Sequence, residues 1–347
     1  SKLNVVYAGF SFSGNYIDQE SGIKYTEKII KDSNEPLNSV SKSLLEEIKK
    51  TNPKHFNLNF DYADLDKGNS EAIVMAVTLD NEYYFSEYEP LTKTYINNIQ
   101  MFFQIMFYNF NTKTLIASIP YDVTMPFLTK EKISEVEIIN EIKNFYTTGL
   151  KSADDGTVIK AFTQVGKILN DYHLKDKYKF RIGIREITIE DKAIEYLPEE
   201  FAQNQTAFKN ILAQNFAGRL SVHNDIALVP YTEGMAIGGT MKQQFVNSDE
   251  IYDIKLPKPE FVIDITLRGY KKKLAKSLTN QQAIQCNHAE NIKLQDELIA
   301  RLLDSYDRLF NSYNDLCRAN DENRRVLVDI GGVVDKRFNQ IIERIEV

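Results

Sequence analysis

Length, composition and charge limit the classes of function before any motif is considered. The chain has 347 residues, 43% of them hydrophobic and 26% charged, with only 15 Gly and 9 Pro; this excludes collagen-like, low-complexity and solenoid chains and suggests about two domains. A net charge of −7 argues against a dedicated nucleic-acid-binding protein, which needs a basic surface. Two Cys and four scattered His offer little for a disulfide framework or a metal site, so no cofactor is predicted.

Residues 1–128 are predicted to form a first α/β module. Apolar residues recur at helical spacing over 37–48, and Asn38 or Ser39 is placed to act as the N-cap of that helix. The run 72–79 is apolar on both faces, as a central strand would be. Other strands are predicted at 5–12, 56–60, 101–108 and 114–119, and the last two form a hairpin.

Residues 129–175 are predicted to form a helical connector. Ile133, Val136, Ile139, Ile142 and Phe145 form one apolar stripe, and a second stripe falls in 158–169. Gly149 and the segment 154–156 interrupt the pattern, which indicates a pair of amphipathic helices between two domains.

Residues 176–347 repeat the order of the first module. A strand is predicted at 180–189, a helix at 199–219, a strand at 226–231, a connection at 234–240 and a strand at 260–267. The sequence therefore predicts an α/β (α+β) protein of two tandem related modules with mixed sheets, joined by a helical segment and ending in a helical tail.

The C-terminal segment allows two interpretations. Apolar residues fall on a heptad seam from Ile292 to Leu316, which predicts one long helix. Repetition of the first module instead predicts a hairpin within 288–318. Cys286 and Cys317 lie in the same segment and could pair in an oxidising compartment.

Two apolar surfaces are predicted to contact other protein subunits. Aromatic residues crowd the region 83–110, more than one face of a small sheet can bury, so some of them are expected at an interface. Burial of all of them in the core is the alternative. The residues assigned to the two surfaces are Phe102, Phe103, Phe107 and Tyr108 in the hairpin, and Ile299, Leu302, Tyr306, Leu309 and Tyr313 on the heptad face.

Catalytic motifs offer no support for an enzyme. The chain contains no G-x-S-x-G nucleophile elbow, and no carboxylate pair stands out by its spacing. The alternative to a protein acting by contacts is a cytosolic α/β enzyme or ligand-binding protein with a site near Gly234–Thr240, where glycines cluster.

The order of elements resembles a known α/β module. A leading strand, a helix carrying Leu44, Leu45 and Ile48, an apolar strand of the type Pro259–Leu267 and a final strand pair are similar to the N-terminal domain of TolB, the curli secretion protein CsgG and the flagellar accessory protein FlgT. The resemblance covers residues 4–125 and 178–310. It implies a non-catalytic module that builds rings or scaffolds in the periplasm or at the outer membrane.

The expected function is therefore a structural or assembly role in the bacterial cell envelope. The resemblance points to a periplasmic or outer-membrane-associated component of a flagellar motor or secretion complex, as a homo-oligomer or part of a larger assembly, with no nucleic-acid partner. A phage or virion structural protein is a further alternative, which would also assemble with other subunits. No apolar stretch approaches the roughly 20 residues of a membrane-spanning helix. The start at Ser1 leaves open whether a signal peptide or lipid anchor precedes it.

Overall fold

The chain divides into two compact units. The computed structural model describes residues 2–13, 23–35, 37–61, 72–90, 92–151, 156–175, 178, 180–195, 197, 199–220, 226–231 and 239–269. The first unit comprises residues 1–181 and 206–259, and the second comprises residues 182–205 and 260–347. The units thus interleave along the chain, whereas the predicted boundaries at residues 128 and 175 divide it into consecutive segments.

The described residues form helices and strands in nearly the predicted order. The helices are α1 (Tyr25–Lys31), α2 (Ser39–Lys49), α3 (Glu135–Thr147), α4 (Thr163–Asp171), α5 (Asp191–Ile194), α6 (Glu199–Gln203) and α7 (Gln205–Leu220). The strands are β1 (Leu3–Ser13), β2 (Phe56–Asn59), β3 (Ile73–Glu89), β4 (Thr94–Asn109), β5 (Thr114–Thr129), β6 (Leu150–Lys151), β7 (Val158–Ile159), β8 (Phe180–Ile189), β9 (Ile226–Val229), β10 (Thr240–Phe245), β11 (Ile251–Lys255) and β12 (Phe261–Leu267). The elements α1, α5, β6, β7, β10 and β11 were not predicted.

A mixed seven-stranded sheet forms the centre of the first unit. Its strand order is β10-β11-β5-β4-β3-β1-β2. The first strand in this order, β10, also pairs with β1 near the other end of the order. β1 runs parallel to β2 and β3, whereas β3, β4 and β5 form an antiparallel meander. The meander strands contain 17, 16 and 16 residues, well beyond the usual 5–6 or so. The predicted mixed α/β class with a mixed sheet is confirmed.

Helices α1–α4 cover one face of this sheet, hereafter the helical face. Asn38 is the N-cap of α2, as predicted, because its Oδ1 accepts the Ser41 N–H at 2.9 Å. Ser134 and Glu137 form a capping box at the start of α3. The helices of the predicted connector, α3 and α4, belong to this core. Their apolar stripes and that of α2 meet alternate residues of the meander, among them Met75, Val77, Phe103 and Phe107. Val136 is the exception, because this predicted member of the α3 stripe is exposed.

The hairpin β10-β11 and helix α7 cover the other face, hereafter the opposite face. Met241 on β10 and Ile254 on β11 pack against Val74, Met106 and Tyr108. Helix α7 crosses the meander so closely that a Cβ at Gly218 would lie 3.1 Å from the Pro120 carbonyl oxygen. Glycine therefore permits this approach.

The described part of the second unit contains the parallel strands β8 and β12. Their register runs from Ile182 opposite Phe261 to Ile189 opposite Leu267. The Arg185 guanidinium donates to both carboxylate oxygens of Asp264 across the pair. The predicted helical tail lies outside the described residues.

Candidate functional site

The four hairpin aromatics predicted to face a partner lie inside the fold. Phe102, Phe103, Phe107 and Tyr108 are at most 3% exposed. The physical reason is that β4 is the middle strand of the meander and both its faces are covered: Phe103 and Phe107 contact the helical core, and Tyr108 contacts the core beneath the β10-β11 hairpin. These side chains contribute to the core and do not form a surface. The heptad residues assigned the same role lie outside the described residues.

The far end of the meander does expose apolar side chains. This meander tip consists of the pair Tyr88 and Tyr95 on one face of the sheet and the pair Ile96 and Leu128 on the other. β1 pairs with β3 only as far as Leu79, and the meander continues beyond it. Tyr88 is 48% exposed and Leu128 is 37% exposed. Tyr88 lies opposite Tyr95, with ring centroids 5.1 Å apart, and Ile96 lies opposite Leu128.

A buried amide fixes the strands at the base of the meander tip. Asn97 is 0% exposed, and its Oδ1 accepts the Tyr84 hydroxyl at 2.7 Å. Its Nδ2 donates to Thr129 Oγ1 at 2.9 Å. One side chain therefore links all three strands, which holds the tip residues on a fixed frame.

A second candidate is a buried polar cluster on the opposite face, centred on Asp80. β3 has one extra residue at Asp80, because Leu79 pairs with Phe103 and Asn81 with Phe102. Alternation from Val74 and Ala76 places the Asp80 carboxylate on the opposite face, and the β-bulge moves the later residues of β3 by one position. Asp80 Oδ1 accepts the Ser13 hydroxyl, and Oδ2 accepts the amide nitrogens of Gln104 and Gln214. The further members of the cluster are Ser11, Thr78, Ser118 and Gln243.

The polar cluster contains a carboxyl group with a raised pKa and buried oxygens that accept no hydrogen bond. Burial raises the pKa of Asp80 to about 6, and the hydrogen bonds from Ser13, Gln104 and Gln214 limit that rise. Within the described part of the chain, the buried oxygens Thr78 Oγ1, Gln214 Oε1 and Gln243 Oε1 have no hydrogen-bond partner. The cluster can exchange a proton in the neutral range and offers acceptors to water.

The next acid along β3 points to the helical face. Glu82 Oε1 accepts the Thr26 N–H at 2.8 Å and Oε2 accepts the Thr26 hydroxyl at 2.6 Å. Tyr146 lies 2.9 Å from the same hydroxyl. Burial raises the pKa of Glu82 to about 7, against the opposing effect of these hydrogen bonds. Glu82 thus ties the start of α1 to the sheet.

The fold also brings together two histidines that are far apart in sequence. The rings of His55 and His173 stack with centroids 4.2 Å apart. The backbone N–H of Lys54 donates to the Asn170 carbonyl at 3.2 Å, and Lys54 Nζ lies 2.6 Å from Asp171. No set of three or more metal-binding side chains occurs among the described residues. No local pattern indicated this pairing, because it depends on the contacts of Lys54 with Asn170 and Asp171 at the end of α4.

The alternative site near Gly234–Thr240 falls mostly outside the described residues. Of that segment, Gly239 accepts the Leu256 N–H at 2.8 Å and Thr240 begins β10. Sequence reasoning named Tyr88 and Tyr95 among the crowded aromatics, but it missed Ile96, Leu128 and the polar cluster. Alternation along β4 could have placed Ile96 on a surface.

Comparison with known proteins shows no family for this chain. No family model matches it, and no curated protein matches it. A solved structure of a neuraminyllactose-binding hemagglutinin homolog from Helicobacter pylori is similar over 50% of this chain and 85% of that chain, with 12% identity and a TM-score of 0.29. In the part of the chain that the structure describes, no helix is long and apolar enough to cross a membrane.

Proposed function

We propose that the chain is a non-enzymatic assembly protein of the bacterial cell envelope that acts through protein–protein contacts made by the meander tip. The role is that of a component of a flagellar motor or secretion complex in the periplasm or at the outer membrane. The partners are other protein subunits, including further copies of this chain.

The observation that carries this proposal is the exposure of large apolar side chains on a rigid end of the sheet. Tyr88 and Leu128 are exposed, although polar side chains would suit a solvated strand end better. Aromatic side chains such as Tyr88 and Tyr95 are enriched at protein interfaces, since they bury much area and lose little rotational freedom. The Asn97 hydrogen bonds hold the strands in place before any partner binds, which reduces the entropic cost of association.

The envelope location has a separate basis. It follows from the element order that resembles the modules of TolB, CsgG and FlgT, where contacts between modules build rings and scaffolds. The mixed sheet packed against helices is of the mixed α/β class that this proposal requires.

Mass measurement of the full chain tests the contact function. Light scattering at micromolar concentration should give a mass above 40.0 kDa, the mass of one chain. The double variant Tyr88→Ser with Leu128→Ser should shift the mass toward the monomer, because it removes apolar area from the meander tip. Its circular dichroism should match that of the unaltered protein.

Val136→Ser supplies the matched control. Val136 is 67% exposed on α3 and is not one of the meander-tip residues, so its replacement should leave the mass unchanged. A strictly monomeric protein at all concentrations, which also fails to retain any envelope protein when cross-linked in cells, would contradict the contact function.

Cell fractionation tests the location independently. An antibody against the chain should detect it in the periplasmic or outer-membrane fraction. Detection in the cytosolic fraction alone would reject the envelope role and favour the cytosolic ligand-binding alternative.

A further inference from the structure

The first unit contains a cavity of about 270 Å³ on the opposite face of the sheet. It lies between β1, the start of β3, the β4-β5 turn and the β10-β11 hairpin. Gly9 lines it and has a φ of +121°, at the point where β1 gains one residue relative to β3. Such a conformation favours glycine, and the missing side chain leaves space beside Phe245.

Most of the cavity wall is apolar and aromatic. Ala8 and Val74 line it from the sheet, and Phe110, Phe245 and Tyr252 line it from the turn and the hairpin. Phe245 and Tyr252 meet edge to face with centroids 5.9 Å apart. Walls of this kind accept a flat apolar group, since ring faces and edges contribute favourable contacts beyond the area they bury.

The ammonium group of Lys113 lies against two aromatic rings of the cavity wall. Lys113 Nζ lies 3.9 Å from the centroid of the Phe110 ring and 5.1 Å from that of Tyr252. Aromatic faces attract a cation but neutralise none of its charge. The ammonium therefore stays available to a charged ligand.

The turn holds Lys113 in a fixed position. The Lys113 N–H donates to the Asn109 carbonyl at 2.9 Å, and its carbonyl accepts the Lys255 N–H at 2.7 Å. Its φ is +54°, a left-handed conformation common at the end of a short hairpin loop. The lysine backbone is thus bound from both sides, so its side chain extends from a rigid turn.

The charge balance around Lys113 favours an anion. Among the described residues, no carboxylate lies within ion-pair distance of Lys113, although its side chain is partly buried. Lost hydration lowers the pKa of Lys113, and the more distant Glu250 carboxylate acts in the other direction. Glu250 itself accepts the Tyr252 hydroxyl at 2.8 Å. A bound anion would restore the charge compensation that hydration no longer supplies.

Two polar side chains complete the wall. Asn247 accepts a hydrogen bond from Asn38 at 3.4 Å through Oδ1, so its amide nitrogen can still donate. Ser248 Oγ accepts the Glu250 N–H at 3.1 Å, and its hydroxyl hydrogen can also donate. Both supply donors, which suit an acceptor such as a carboxylate.

We infer that this cavity is a binding site for a small organic anion, a carboxylate joined to an aromatic or similarly flat apolar body. The carboxylate pairs with Lys113, and the apolar body lies against Phe245 and Tyr252. This site is separate from the meander tip and does not depend on the proposed contact function.

Titration of the full chain with simple probes tests the inference. Benzoate should bind with a saturable 1:1 signal in ligand-observed NMR or calorimetry. Benzamide lacks the charge and acetate lacks the apolar body, so each should bind roughly tenfold more weakly or worse. Lys113→Gln should weaken benzoate binding by at least about tenfold, since the charge-assisted contact is lost.

Lys242→Gln is the matched control. Lys242 lies on the same hairpin but is exposed, 3.4 Å from Asp253, so this variant changes the net charge equally and should leave benzoate binding unchanged. Thermal unfolding of both variants verifies that they fold. Absence of saturable benzoate binding, equal binding of benzoate and benzamide, equal binding of benzoate and acetate, or equal affinity in Lys113→Gln and the unaltered chain would each overturn the inference.

Discussion

The helical face and the opposite face of the seven-stranded sheet are built on different principles. Four helices cover the helical face with a continuous apolar core, in which Phe103 contacts Tyr121, Tyr146 and Phe162. The opposite face has a smaller apolar cluster, the polar cluster around Asp80 and the cavity beside Lys113.

The helical face therefore contributes mainly to stability, whereas the opposite face holds the candidate chemical groups. Close packing of apolar side chains on the helical face supplies most of the favourable burial. Polar groups and unfilled space on the opposite face contribute less burial but allow proton exchange, hydration and ligand entry. The same strands contribute to the apolar core and to the polar face, because successive residues of a strand point to opposite faces.

The largest loss of stability is expected from a substitution that creates a cavity in the core of the helical face. Phe103→Ala should lower the free energy of unfolding by about 3–5 kcal/mol, because a fully buried ring with three aromatic neighbours is lost. Urea unfolding followed by circular dichroism measures the change. Val136→Ala at an exposed position of α3 is the control and should change it by less than about 0.5 kcal/mol. Equal losses in both variants would contradict the assignment of the core.

A smaller loss is expected from the polar cluster. Asp80→Leu leaves the donors of Ser13, Gln104 and Gln214 without their acceptor and should cost about 3 kcal/mol. Asp80→Asn keeps one acceptor oxygen and should cost less. If the two variants were equally stable in urea, the cluster would not depend on the Asp80 hydrogen bonds.

The raised pKa values predict how stability depends on pH. Asp80 titrates at about 6 and Glu82 at about 7 in the folded chain, so the folded state holds these protons more tightly than the unfolded chain, where both pKa values are near 4. The contribution of these groups to the free energy of unfolding is therefore full below about pH 4 and is lost as pH rises through about 6–7. For Glu82 the loss is on the order of 3 kcal/mol.

Urea unfolding between pH 4.5 and pH 8 measures this decline. Glu82→Gln should flatten its upper part, because the amide does not ionise. Glu137→Gln is the control, since hydrogen bonds from Ser134 lower the pKa of exposed Glu137. An identical decline in Glu82→Gln and the unaltered protein would show that Glu82 does not titrate in this range.

The smallest loss of stability is expected from the N-cap of α3, one of the helices on the helical face. Ser134→Ala removes the N-cap acceptor of α3 and should cost about 1 kcal/mol, whereas Ser134→Thr keeps the hydroxyl and should cost less. Thermal unfolding resolves the difference. If Ser134→Ala had the stability of the unaltered chain, the capping box would not contribute.

Local patterns predicted most elements of the fold but little of the candidate sites. Spacing alone identified α2 with Asn38 or Ser39 as its cap, the hairpin strands β4 and β5, and the individual strands β8 and β12. Those features depend on residues close in sequence. The exposed Tyr88 and the partly buried Tyr95 were among the crowded aromatics, but nothing local distinguished them from the buried ring of Phe103.

The sequence by itself determined the mixed α/β class, because period-2 and period-3.6 patterns reflect the geometry of single strands and helices. Only the tertiary structure decided which residues meet across the sheet. Gln214 reaches Asp80 from 134 positions away, and β10 joins β1 through pairings that no local pattern encodes. The burial of the β4 aromatics was decided in the same way, since a strand becomes central only when distant segments cover both of its faces.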